Sequence, residues 1–155
     1  MTYAGTAVEN KPQPFAVDDI EMHHRKQKKP GAHPLRCLVV DDDGNVLKIV
    51  ADMLSRIGFQ RVDTAQMKPE LMNKLATGSY DLLVTDLEMP DMNGFDLSHR
   101  IKKEVHDTKV IIMTGRHKNE CLEMMETGWA DGWLFKPFGV KELCSKLIGL
   151  GLYAQ

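Results

Sequence analysis

Apolar residues along this chain fall in short runs, separated by longer stretches in which they recur every three or four positions. Leu38-Val39-Val40 is a compact apolar run of the kind a strand covered on both faces requires. Val46, Ile49, Val50, Met53, Leu54 and Ile57 then return at helical spacing, and Gly58 supplies a stop. Arg61 to Ala65 is a weaker strand. Pro69 opens a helix that carries Leu71, Leu75 and Ala76 and closes at Gly78. Asp81 to Thr85 is the next strand, and Phe95 to Val105 a helix with Leu97, Ile101 and Val105 on one stripe. Val110 to Met113 predicts a strand, and His117 to Thr127 a helix with Cys121, Met124 and Met125 turned inward. Trp133-Leu134-Phe135 is the last strand, and Val140, Leu143, Cys144, Leu147 and Ile148 mark the last helix.

Strand and helix alternate throughout, with no internal repeat. That order predicts an α/β domain, a parallel sheet with helices on both faces. In such folds ligands sit beyond the carboxyl ends of the strands. Here the first strand runs into Asp41-Asp42-Asp43, the third into Asp86, the fourth into Thr114 and the fifth into Lys136-Pro137. One rim therefore collects carboxylates, a hydroxyl and an ammonium. Crowded carboxylates call for a cation, and oxygen ligands of this kind suit Mg²⁺ beside a phosphoryl group. Lys136 adds a point charge, Thr114 a hydrogen-bond donor, and a carboxylate can itself serve as nucleophile to give an aspartyl phosphate.

The first thirty-odd residues break the pattern. Residues 1–34 hold four of the seven prolines and few large apolar residues, and read as a largely disordered extension before a domain over 35–155. Within it, Ala16 to Lys29 is a candidate helix, acidic at its start and basic at its end, with a thin apolar face. If the extension docks on its own domain, Trp129 is the expected contact, with Phe15 or Ile20 as apolar partner.

The chain has 155 residues, 43% of them hydrophobic and 27% charged, with a formal net charge of −2. That balance gives no case for direct nucleic-acid binding. Cys37, Cys121 and Cys144 have neither zinc-site nor CxxC spacing and read as reduced, core-filling thiols. There is no signal-peptide pattern, and no run reaches the roughly 18 apolar residues that would span a bilayer. A cytoplasmic location is expected, without membrane insertion.

Four segments sharpen this reading. They are Leu38-Val39-Val40-Asp41-Asp42, Asp81-Leu82-Leu83-Val84-Thr85-Asp86-Leu87-Glu88-Met89-Pro90-Asp91-Met92-Asn93-Gly94, Ile112-Met113-Thr114-Gly115 and Phe135-Lys136-Pro137-Phe138. In order and spacing they resemble the response-regulator receiver family over about Leu35 to Leu147. The resemblance implies a flavodoxin-like doubly wound (βα)5 fold with a central five-stranded parallel sheet. It implies that Asp86 accepts a phosphoryl group from a sensor histidine kinase or a phosphotransfer protein. Mg²⁺ would be bound by Asp42, Asp86 and the Glu88 backbone carbonyl, with Asp41 acting through water. Thr114 and Lys136 match the residues that bind the phosphoryl group, and Thr114 with Trp133 matches the conformational switch. Pro90 and Gly94 match the turn after the acceptor, and Pro137 a cis-proline. Glu88 and Arg116 stand where the path of the hydrolytic water is flanked, and so would tune the lifetime of the phosphorylated state.

The departures concern tryptophans. Trp133 replaces the usual smaller switch aromatic, and its ring is expected to swing inward less freely. Trp129 stands where a glycine usually ends the fourth helix, either packed against the helix end or exposed as a partner anchor. Competing readings are weaker. A dehalogenase-type phosphatase would share Asp41-x-Asp43 but needs a late acidic pair that does not follow Lys136. A calcium loop beginning at Asp41 needs glycine where Val46 stands. A pseudo-receiver usually lacks part of the acidic set or the lysine, and both are present. With the sequence ending at Gln155, the expected output is protein contact on the fourth-helix, fifth-strand and fifth-helix face, or a phosphorelay; a receiver cut from a hybrid kinase is the alternative. The chain is expected to be a signalling phosphoacceptor, catalysing only its own phosphorylation and dephosphorylation.

Overall fold

The computed structural model describes residues 34–153; the candidate helix at 16–29 lies outside them. Strand β1 (Arg36–Val40) is followed by α1 (Gly44–Ile57), β2 (Arg61–Ala65), α2 (Lys68–Thr77) and β3 (Leu82–Asp86). A two-residue hairpin then intervenes, β4 (Glu88–Met89) against β5 (Met92–Asn93). After it come α3 (Gly94–Glu104), β6 (Lys109–Thr114), α4 (Lys118–Glu126), β7 (Gly132–Phe135) and α5 (Val140–Gly149). The main sheet is parallel, in the order β2-β1-β3-β6-β7. This is the parallel sheet that the alternation predicts, in the flavodoxin-like arrangement that the resemblance implies.

The apolar strands divide two cores. Cys37, Val39, Val84, Ile111 and Met113 face α1 and α5 through Leu47, Val50, Leu54, Leu143 and Leu147. Leu38, Val40, Leu83 and Val110 face α2 and α3 through Leu71, Leu97 and Ile101. Strand residues alternate between the faces because successive side chains point in opposite directions. The predicted stripes need trimming. On α1 the buried set is Leu47, Val50 and Leu54, while Ile49 is 55% exposed. On α5, Leu143 and Leu147 are buried, Cys144 is half-buried, and Val140 and Ile148 are exposed at the ends. Among the described residues no helix is long and apolar enough to cross a membrane.

Caps set the helix starts at the functional rim. Asp43 is the N-cap of α1, its Oδ1 accepting the Asn45 N–H at 2.8 Å. Asn93 does the same for α3, accepting from the Phe95 N–H at 2.8 Å. Such caps satisfy helix N–H groups that have no intrahelical acceptor.

Candidate functional site

The strand order places β3 at the centre of the sheet, with β1 and β6 on either side, and their ends converge. Asp41 follows β1 and is buried, 1% exposed; Asp86 closes β3 at 9%. Asp42 is exposed beside them. One carboxylate oxygen from each of the three lies within 4.8 Å of the others. Asp43, the third residue of the acidic run, is spent on the α1 cap.

Lys136 bridges two of the three carboxylates. Its Nζ donates to Asp41 Oδ2 and to Asp86 Oδ1, each at 3.0 Å. The ladder continues past β7, with the Lys136 N–H donating to the Thr114 carbonyl at 2.7 Å, and the Lys136–Pro137 peptide is cis. The second oxygen environment of Asp41 is also fixed, since Oδ1 accepts the Asp43 N–H at 2.9 Å. Burial raises the Asp86 carboxyl above the ordinary range; the Lys136 hydrogen bond opposes this, and the Asp41 and Asp42 charges add to it. Burial works to lower Lys136, but its hydrogen bonds to Asp41 and Asp86 outweigh it and hold the ammonium above its usual value.

The hairpin after Asp86 is tied down at its base. The Leu87 N–H donates to the Met113 carbonyl and the Gly94 N–H to the Leu87 carbonyl, both at 2.8 Å. Gly94 is required here: a Cβ would overlap the Asp86 carbonyl oxygen and stand 3.1 Å from Leu87 Cα. Glu88, at the start of the hairpin, forms an ion pair with Arg116 across the rim; both side chains are largely in solvent. Thr114 is buried, and its hydroxyl accepts the Arg116 N–H at 3.0 Å.

The two tryptophans have different surroundings. Trp133 is turned inward, 5% exposed, in a cluster with Leu87, Ile112 and Cys121. Small Cys121 and the adaptable Met124 and Met125 that pack against this cluster leave room for the larger ring. Trp129 is half-buried, but its cover comes from α3: it stacks on Phe95 at 4.7 Å and on His99 at 3.6 Å. Phe95 and His99 are four apart, hence on one helix face. Ser98, between them, donates its hydroxyl to the Trp129 carbonyl.

Sequence reasoning missed the structural role of Asp91, whose carboxylate accepts the Lys68 N–H at the start of α2 at 2.7 Å. Its only signal is position, in an acidic loop after Asp86.

Residues 37–148 match the family model described as "Response regulator receiver domain". Among curated proteins, the chain is 38% identical over 109 residues to the DNA-binding transcriptional regulator NtrC of Azospirillum brasilense, covering 70% of this chain. It spans only 22% of that relative's length. It is 30% identical to the chemotaxis protein CheY-3 of Vibrio cholerae, over 73% of this chain and 88% of the relative. Among solved structures, the response regulator protein TrrA of Thermotoga maritima in complex with Mg²⁺-BeF aligns with TM-score 0.66 at 32% identity. That alignment covers 75% of this chain and 98% of TrrA. The arrangement of Asp41, Asp42, Asp86, Thr114 and Lys136 on one rim of a five-stranded parallel sheet thus sits within a family match, and the chain belongs to the response regulator receiver domain family.

Proposed function

We propose that this chain is a phosphoacceptor of a two-component system, and that Asp86 takes the phosphoryl group. The observation that carries the reading is Lys136 Nζ, 3.0 Å from carboxylate oxygens of both Asp41 and Asp86. An ammonium in that position counters charge on a phosphoryl group arriving at Asp86. The donor is a phosphohistidine on a sensor kinase or phosphotransfer protein. An Asp86 Oδ attacks phosphorus, the P–N bond breaks, and the imidazole leaves with the electron pair. The chain thereby acts as a signalling phosphoacceptor rather than as an enzyme that turns over many substrates, in the cytoplasm, where such kinases present their phosphohistidine.

The three carboxylates suit a hard divalent cation, since the single ammonium of Lys136 reaches only Asp41 and Asp86 and offsets only part of the crowded negative charge. Asp42, Asp86 and the Glu88 backbone carbonyl would hold Mg²⁺, with Asp41 acting through water. When bound, Mg²⁺ supplies neutralisation of the phosphoryl oxygens.

Thr114 serves as donor to the phosphoryl group, since its hydroxyl can donate its proton while its oxygen accepts the Arg116 N–H. Trp133 fills the space behind it, and the pair transmits the state of Asp86 to a target protein on the face formed by α4, β7 and α5. Glu88 and Arg116 close over the rim and slow the approach of water to the aspartyl phosphate. The chain itself contacts no nucleic acid in this scheme. Residues 35–155 form the receiver and 1–34 an extension that phosphorylation does not need.

Incubation with acetyl phosphate and Mg²⁺, followed by mass spectrometry of the borohydride-trapped peptide, should place the modification on Asp86. Asp86→Asn should abolish it. Unchanged labelling of that variant would overturn the assignment.

A further inference from the structure

At the end of the sheet opposite Asp86, between the C-terminal ends of α2 and α3, lies a cavity of about 270 Å³. Leu75, Tyr80, Ile101 and Val105 give it apolar walls. Arg36, the first residue of β1, lines it too; its Nε is buried without a hydrogen-bond partner, and its guanidinium carbon sits 5.6 Å from the centre of the Tyr80 ring. Asp107 adds an exposed carboxylate to the lining. The walls are preformed. The Tyr80 hydroxyl donates to Asp63 Oδ2 at 2.7 Å, and the Thr108 hydroxyl donates to the Tyr80 carbonyl at 2.8 Å.

A fixed apolar cavity beside a guanidinium that lacks a full set of acceptors favours an apolar side chain with a carboxylate next to it. The chain itself carries that combination. Phe15-Ala16-Val17-Asp18-Asp19-Ile20-Glu21-Met22 sets apolar residues among carboxylates, and Ile20 is flanked by Asp19 and Glu21. Arg25, Lys26, Lys28 and Lys29 follow, of opposite charge to Asp107. The segment is tethered at the cavity, because it joins the domain just before Arg36. The stretch between Met22 and Arg36 can span on the order of 40 Å, more than enough to fold back. A short tether raises the effective concentration to the order of millimolar, so a weak contact suffices. Trp129, the alternative anchor, already has its ring against Phe95 and His99.

We infer that this cavity is the docking site of the chain's own segment Phe15–Met22. Ile20 enters between Tyr80 and Ile101, Asp19 or Glu21 meets Arg36, and the basic tract lies against Asp107. The occupant belongs to the same molecule.

Nuclear magnetic resonance on the full chain tests this. Nuclear Overhauser contacts are expected from the Ile20 methyls to the Tyr80 ring, and Ile20→Ser should shift the amides of Tyr80, Val105 and Thr108. In a mixture of differently labelled chains, contacts seen only between molecules would overturn the inference in favour of a second copy. Unmoved amides together with no contact would overturn it outright. So would phenylacetate, added as a probe, contacting Tyr80 with equal affinity in wild type and Ile20→Ser, which would make the cavity a small-carboxylate site.

Discussion

The Asp91 carboxylate accepts the Lys68 backbone N–H at 2.7 Å, tying the hairpin after the acceptor to the first turn of α2. Met67, the residue in the N-cap position, makes no side-chain cap, so Asp91 supplies from a distance what a local cap would. Loss of a cap typically costs about 0.5–2 kcal/mol. Asp91→Ala should therefore lower stability by about 1 kcal/mol in urea unfolding and speed hydrogen exchange at Lys68. Equal exchange rates in variant and wild type would mean the contact carries no weight.

Gly94 admits no side chain, because the atoms a Cβ would meet are the backbone of Asp86 and Leu87. Backbone at the centre of a sheet yields little. Overpacking usually costs about 1–3 kcal/mol, and Gly94→Ala should fall at or above the upper end. It should also slow acetyl-phosphate labelling more than its stability loss explains, since the displaced atoms belong to the acceptor. Normal labelling in a destabilised variant would separate the two effects and contradict this.

Asp63 accepts from the Tyr80 hydroxyl at 2.7 Å and from Arg61 Nε at 3.1 Å. Burial acts to raise its carboxyl, but these hydrogen bonds and the Arg61 charge prevail and hold it below the ordinary range. A carboxyl lowered in the folded state stabilises above its unfolded pKa, and that contribution fades as pH falls through the folded value. Asp63→Asn should thus cost roughly 1 kcal/mol at neutral pH, with the difference from wild type shrinking below about pH 4. A difference constant from pH 7 to pH 3 would assign the effect to packing alone.

The Glu88–Arg116 ion pair is exposed and contributes only about 0–1 kcal/mol to stability. Its expected effect is kinetic, as about 1.4 kcal/mol of barrier is a tenfold rate change. Glu88→Ala and Arg116→Ala should each shorten the life of the phosphorylated form severalfold, and the double variant by less than the product. Three decay rates equal to wild type would remove the gate.

Mg²⁺ should stabilise the folded chain, by about 2.7 kcal/mol at a hundred times its dissociation constant. Asp42→Asn should lose most of that gain while keeping the fold, since Asp42 is exposed and lies outside the helices and strands. Urea midpoints in MgCl₂, EDTA and NaCl of matched ionic strength distinguish binding from screening.

Much of this molecule was legible because its main signals are local. Apolar runs and helical stripes located the strands of the main sheet and every helix of the described region, and the strand ends located the rim. The β4–β5 hairpin escaped because two-residue strands have no period to read. Ile49 entered the predicted stripe because its spacing fits α1, yet which arc of a helix meets the sheet is set by packing. Asp43 looked like a third member of the acidic cluster, and only the backbone path shows that it caps α1 instead. The Trp129 stack and the Asp91 contact join residues remote in sequence, and hydropathy patterns do not report such pairs.

Strand β3, which ends in Asp86, is laddered on both sides, to β1 and to β6, whereas β7 has a neighbour on one side only. Moving Asp86 by moving its strand would break two rows of hydrogen bonds at once; moving Lys136 or Trp133 disturbs one. The sheet is thus a beam clamped at its middle, with single-sided margins at β2 and at β7. Under the proposed function, a response to phosphorylation of Asp86 has the fewest bonds to disturb at the β7 margin, where Trp133 stands on the strand and Lys136 one residue past its end.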